Sequence, residues 1–146
     1  MSAPDPPFRY RHTIRVRYGE VDQQGVVFNA NYFAYLDDAV ELWLEGLRSD
    51  PARREHPDLK KWDFMLKKVT LEWSGSVGSG DRLAIDMAVA RLGRSSFDVC
   101  FRGSHEQRRV FDATITYVSV VRGENRPYET PDLLREYLGA AVEPTT

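Results

Sequence analysis

Only one stretch of this chain carries a long helical period, and the residues after it read as strands joined by very short turns. Across residues 29–47, Tyr32, Leu36, Ala39, Val40, Trp43, Leu44 and Leu47 recur at steps of three and four, which lines them along one helix face. Downstream, residues 64–77, 82–92, 95–103 and 108–121 are rich in β-branched and aromatic residues. They are separated by turn-forming residues at 78–81, 93–94 and 104–107. Turns of this length join antiparallel neighbours, because a parallel return needs a crossover of a dozen or more residues. Ahead of the helix, residues 10–18 alternate, with His12, Ile14, Val16 and Tyr18 on one face and Arg11, Thr13, Arg15 and Arg17 on the other. That is a further half-buried strand, and residues 19–28 form the loop after it. A lone long helix has to bury its apolar face, and the sheet is its only large partner. The order predicts an α+β domain, a five-stranded antiparallel sheet wrapped around one long central helix.

Asn29 or Asn31 is placed to cap the helix start, and Asp50-Pro51 marks a stop after its end. Residues 49–61 read as a polar connector with a short helical turn. After a loop at 123–127, Thr130 as cap and Pro131 at the first helical position predict a terminal helix over 131–138. No repeat or linker divides the 146 residues, so one domain is expected over 9–140. A proline-rich disordered lead-in over 1–8 and a tail over 141–146 flank it.

The formal net charge of -2 gives no basic field for nucleic acid. The longest apolar runs fall short of a membrane span, and residues 1–7 lack the apolar core of a signal peptide. A cytoplasmic location is therefore the expectation, with no membrane and no nucleic-acid partner. Cys100 is the single cysteine, so an internal disulfide and Cys-Cys metal motifs are excluded. Its apolar surroundings, 97–101, predict a small core residue. His12, His56 and His105 show no metal-ligand spacing. His12 reads as structural, and the other two as solvent-exposed. Neither a metal nor a cofactor is called for. Trp43, Trp62 and Trp73 read as core or interface residues.

The segment that carries chemistry is 18–32, Tyr-Gly-Glu-Val-Asp-Gln-Gln-Gly-Val-Val-Phe-Asn-Ala-Asn-Tyr. Asp22 is a carboxylate in a loop that feeds a helix, and Gly25 lets the backbone approach another group closely. N–H groups at a helix start have no intrahelical acceptors and favour an anion. A carboxylate beside such donors is a minimal acyl-transfer site: the donors hold the developing oxyanion, and the carboxylate attacks or activates water. An Asp before Gln and Gly is, on its own, more often an ordinary turn residue.

This segment resembles the active-site signature of the 4-hydroxybenzoyl-CoA thioesterase family of hotdog proteins. Tyr18, Glu20, Asp22, Gly25, Val26, Val27, Phe28, Asn29, Asn31 and Tyr32 fall in register with it, and the match runs on through Tyr35, Leu36 and Asp37. Gly80-Asp81, Gly93-Arg94-Ser95-Ser96 and Arg126-Pro127 are similar further along. The resemblance implies a hotdog thioesterase that cleaves an acyl-CoA or acyl-carrier-protein thioester. Asp22 would be nucleophile or general base, and the backbone N–H of Asn29, in the first helical turn, would polarise the thioester carbonyl. Gly25 would allow close approach of the substrate, Val26 and Tyr32 would line the acyl pocket, and Arg94, Ser95 and Ser96, with Arg91 as a weaker companion, would contact the CoA. Many bacterial members carry His where this chain has Asn29, so Asp22 lacks an imidazole partner in the signature.

Other readings stand beside this one. Glu41, on the helix face it shares with Asp37, is the backup carboxylate. Glu20 either tunes Asp22 by repulsion or points to solvent. A non-catalytic acyl-thioester-binding hotdog protein is the alternative function. A hotdog hydratase would need an Asp-His pair, and none is visible. An exposed sheet edge, with the family's habit of joining sheets edge to edge, predicts a homodimer or homotetramer with the site between subunits.

Overall fold

The computed structural model describes residues 8–139; nearly all of the expected lead-in and tail lies outside the described residues. Five strands form one antiparallel sheet in the order β1-β3-β4-β5-β2: β1 Tyr10–Arg15, β2 Trp62–Trp73, β3 Arg82–Leu92, β4 Ser96–His105 and β5 Arg108–Val121. The long helix α1, Asn31–Arg48, lies on one face. Two short helices, α2 Pro51–Arg54 and α3 Pro57–Lys61, return the chain to β2, and α4, Asp132–Leu138, closes the described region. This is the α+β arrangement that the element order predicted, and it agrees with the hotdog fold that the resemblance implies.

Burial follows the two periods. Leu36, Ala39 and Leu47 of α1 are fully covered, and Ile85, Met87, Phe97, Val99, Phe101, Phe111 and Ile115 meet them from the sheet's inner face. Each such aliphatic side chain contributes about 1.5–3 kcal/mol when fully buried. Gly103 lies opposite Phe111, and a Cβ there would stand 2.1 Å from the Phe111 ring, so the missing side chain makes room for the aromatic.

Several local expectations are corrected. β1 ends at Arg15 and Tyr18 enters a 3-10 turn, Tyr18–Glu20, where it is 85% exposed rather than on the inner face. α1 begins at Asn31, and its N-cap is Ala30 with no side-chain bond, so neither asparagine caps it. β2 begins at Trp62, because α3 ends directly into it, and stops at Trp73. Thr130 does not cap α4: its hydroxyl pairs with Ser119 Oγ at 2.7 Å, and Pro131 takes the cap position. Cys100 is half-buried on the sheet face away from α1, because the alternation that turns Val99 and Phe101 inward turns Cys100 outward. His105 ends β4 with Nδ1 2.8 Å from Arg82 O, so it is largely covered. Among the described residues no helix is long and apolar enough to cross a membrane.

Candidate active site

The loop between β1 and α1 folds as a hairpin of its own. Val21 bridges Val27, Asp22 N–H donates to Val26 O at 2.8 Å, and Phe28 N–H donates to Glu20 O at 3.0 Å. Gly25 turns the chain at φ +78°, a left-handed conformation that favours glycine. The hairpin docks on the turn between β2 and β3 through Val27 N–H to Val77 O at 3.0 Å. At Gly78 a Cβ would stand 3.0 Å from Gly25 O, so the two segments touch backbone to backbone.

Asp22 is half-buried on the first arm of this hairpin. Its Oδ1 accepts the Gln24 N–H at 2.8 Å, while Oδ2 has no hydrogen-bond partner among the described residues. One oxygen is therefore fixed and the other presented. Asp22 and Gly25 line an open depression of about 710 Å³ with Tyr18, Gly19, Val21 and Gln23. Asn29 differs from its expected position, since it precedes α1 instead of standing in its first turn. The N–H groups of Asn31, Tyr32 and Phe33 already donate back to Phe28, Asn29 and Ala30. The amides of Asn29 and Ala30 have no acceptor among the described residues, so the free donors lie just ahead of the helix. Val26 is half-buried near the hairpin tip.

Tyr32 is 2% exposed, and its ring packs edge-on against Tyr35, Trp73 and Phe111. It sits behind the hairpin as part of the core. Trp73, expected in the core or at an interface, joins this aromatic group while staying 44% exposed at the end of the edge strand. Phe28, on the hairpin's second arm, is more than half exposed, and Phe64 stacks on Trp62 at the far end of β2.

The remaining anticipated residues form a second group elsewhere. Arg91, Arg94, Ser95 and Ser96 sit where β3 turns into β4. The hairpin docks where β3 begins. Ten residue steps along β3 separate these ends, roughly 30 Å at ~3.3 Å per residue. One chain does not bring the two groups together. Arg91 is also committed: its Nε and Nη2 donate to Asp98 at 3.0 and 3.2 Å, and Nη2 reaches Ser96 Oγ at 2.9 Å. Arg94 is exposed, with no side-chain partner among the described residues; only its carbonyl is used, by Thr130 N–H and Arg135.

The other carboxylates have defined places. Glu20 turns away from Asp22, and its Oε1 accepts the Arg17 N–H at 2.7 Å. Glu41 pairs with Arg48 at 3.5 Å on the helix surface. Asp37 is pushed up from the usual carboxylate range by burial. Tyr35 is pushed well above the usual phenol range, by burial first and then by the Glu20 carboxylate. His12 Nε2 lies 3.0 Å from Asp38 Oδ2, tying β1 to α1 in the structural role expected of it.

Residues 16–138 match the family model described as the thioesterase-like superfamily. The chain belongs to that superfamily. Two curated relatives are 1,4-dihydroxy-2-naphthoyl-CoA hydrolases. That of Synechococcus elongatus is 24% identical over 123 residues, 84% of this chain and 90% of the relative. That of Synechococcus sp. strain WH7803 is 27% identical over 135 residues, 89% of this chain and 88% of the relative. A solved 1,4-dihydroxy-2-naphthoyl-CoA thioesterase from Synechocystis superposes with TM-score 0.74 at 16% identity, over 88% of this chain and 94% of that one. The structural likeness establishes the hotdog fold. In this thioesterase-like chain Gly19, Asp22 and Gly25 signalled a loop, but nothing in the sequence marked the pairing of Val21 with Val27. Nor did it mark the bond from the Asn31 side chain to Glu20 O, at 2.8 Å.

Proposed function

We propose that this protein is an acyl-CoA thioesterase in which Asp22 is the catalytic carboxylate. The observation that carries this reading is the state of Asp22: half-buried, one oxygen fixed by Gln24 N–H and the other presented, on a hairpin whose second arm ends at the free amide of Asn29. The Asn29 N–H polarises the thioester carbonyl and holds the oxyanion as it develops. Asp22 Oδ2 either attacks the carbonyl carbon, giving a mixed anhydride that water then cleaves, or takes the proton of the attacking water. In both routes the C–S bond breaks and CoA leaves as a thiolate that gains a proton. Gly25 lets the substrate approach the hairpin, and Val26 borders the acyl group with Tyr32 packed behind.

The gap of roughly 30 Å between the hairpin and the Arg94 turn, at ~3.3 Å per residue along β3, supports a site shared between subunits. The β2 edge is the candidate contact: it runs 12 residues and leaves Met65, Leu66 and Trp73 about half exposed. The other edge, β1, is six residues long and presents Arg11, Thr13 and Arg15 outward. Pairing two antiparallel copies of β2 removes the longer unpaired edge and sets the hairpin end of one chain against the Arg94 end of the other. Arg94, Ser95 and Ser96 of that second chain then meet the phosphate and pantetheine portion of the carrier. A homodimer is the smallest assembly that completes the site, and a homotetramer repeats it.

The test is thiol release from a panel of acyl-CoA and acyl-carrier-protein thioesters, with aryl-CoA thioesters first because the curated relatives are 1,4-dihydroxy-2-naphthoyl-CoA hydrolases. Wild type is expected to release thiol and Asp22→Asn is not. Binding without thiol release by wild type on every thioester would sink the enzyme reading and leave a non-catalytic binder. An acyl-protein adduct that maps to Asp22 under single turnover assigns it as nucleophile. Elution at monomer mass in a sizing experiment counts against the shared site.

A further inference from the structure

We propose that Asn31 is a positioning residue that sets the geometry of the Asp22 hairpin; the proposal rests on the assignment of Asp22 made above. Asn31 is the first residue of α1, a place where an asparagine ordinarily turns its side-chain oxygen onto helix N–H groups. Here it does the reverse. Its Nδ2 donates across eleven residues to the backbone carbonyl of Glu20 at 2.8 Å. A carbonyl only accepts, so the amide nitrogen is the end that faces the loop.

The carbonyl of Glu20 is the base of the hairpin. It also accepts the Phe28 N–H at 3.0 Å, while the Asn31 backbone N–H donates to Phe28 O at 2.9 Å. Asn31 therefore ties both arms, Glu20 through its side chain and Phe28 through its backbone. The arm that starts at Glu20 carries Asp22 two residues later, and the arm through Phe28 delivers Asn29 one residue later. The Glu20 side chain is held by the Arg17 N–H and its charge bears on Tyr35 of α1, whereas Asn31 ties the backbone carbonyl of this arm to a helix side chain. Removing that donor leaves the Phe28 N–H and the Asp22 N–H to Val26 O bond to hold the arm, loosens its tie to α1, and lets Asp22 shift against the Asn29 amide. Misplacement of a reacting group by ~1 Å costs on the order of 100-fold in rate.

The test measures kcat and KM for Asn31→Ala and Asn31→Asp beside Asp22→Asn on one thioester that wild type cleaves, with thermal melts of each. Asn31→Ala is expected to lose about 10- to 100-fold in kcat with KM within about 3-fold of wild type, because binding groups away from the hairpin are untouched. Asn31→Asp is nearly isosteric. When ionised it sets a carboxylate against the Glu20 carbonyl, and when protonated it regains an O–H donor. Its kcat relative to wild type is expected to rise as pH falls from about 8 to about 5, toward the carboxyl pKa range. A purely structural asparagine would give no such rise. Wild-type kcat in Asn31→Ala, or a flat pH ratio in Asn31→Asp, overturns the proposal; the second readout decides alone if the alanine variant fails to fold. With Asp22→Asn inactive, either result removes the latch and leaves the catalytic assignment standing. Full activity in Asp22→Asn overturns both.

Discussion

The two ends of the sheet are built in opposite ways. At the end where β3 begins, the 19–30 hairpin holds its polar groups by backbone bonds and leaves one carboxylate oxygen and two amides open. At the other end, where β3 turns into β4, the backbone is equally well tied, but the polar groups there are long side chains. Arg91 is locked to Asp98, and Arg94 extends free into solvent. Chemistry needs fixed atoms, and recognition of a charged tail tolerates a flexible cation. On the proposed function this difference gives bond breaking to the hairpin and anchoring to the turn, which would make the two ends separable by kinetics.

The largest expected effect comes from Asp22→Asn. The amide keeps the shape and the Gln24 bond but removes the charge that attacks or takes a proton, so kcat is expected to fall roughly 10²- to 10⁴-fold with KM little changed. Steady-state kinetics on a cleaved acyl-CoA checks this. Retention of more than a tenth of wild-type kcat would break the assignment of chemistry to this end.

Next comes Gly78→Ala. The added Cβ meets the Gly25 carbonyl at 3.0 Å, and a backbone atom has little freedom to give way. The hairpin is pushed off its seat, and kcat is expected to drop about 10-fold. Gly103→Ala is the control: its Cβ meets the buried Phe111 ring, so it is expected to cost about 1–3 kcal/mol of stability through overpacking, read as a lower Tm. If Gly78→Ala lowered Tm as much as Gly103→Ala while leaving kcat alone, the Gly78 contact would belong to folding and not to the site.

Those two glycines also mark how far the sequence could be read. The strand and helix order was legible because both periods are long and uninterrupted, as in α1 and in β5, whose bounds match the pattern residue for residue. The hairpin was legible as a loop because Gly19, Asp22 and Gly25 cluster there. Its pairing, Val21 with Val27, depends on a docking surface at Val77 and Gly78 that lies some fifty residues further along. Asn29 and Asn31 show the limit plainly. Both are ordinary capping residues by composition, yet one only supplies a free amide and the other points its nitrogen at Glu20. A side chain with a donor and an acceptor at one tip does not announce which it will use. Tyr32 shows the same limit: its place in the signature is legible, and only the packing of Trp73 and Phe111 shows that its ring faces the core.

The smallest effects lie at the anchoring end, and they sharpen the comparison by splitting two arginines that sequence alone grouped together. Arg94→Ala is expected to raise KM for an acyl-CoA about 5- to 10-fold with kcat unchanged, the scale of one lost charge-assisted contact of ~1 kcal/mol. Arg91→Gln is expected to leave KM within about 2-fold, because its guanidinium already serves Asp98. Its effect is on stability and carries a pH signature. Burial works against a charged Asp98, but hydrogen bonds from Arg91 and Thr116 and the Arg91 charge outweigh it, so the folded-state pKa is lowered. A lowered folded pKa contributes stability that is present above the ordinary carboxylate value and is lost as pH falls through the folded one. The Tm gap between wild type and Arg91→Gln should therefore be open at neutral pH and close only below about pH 4, the ordinary aspartate range. A gap that closed instead between about pH 6 and about pH 7 would mean that Asp98 does not set the charge balance at this turn. Equal KM effects from the two arginines would erase the distinction between a locked and a free cation, and with it the reason to place the carrier's phosphates at Arg94.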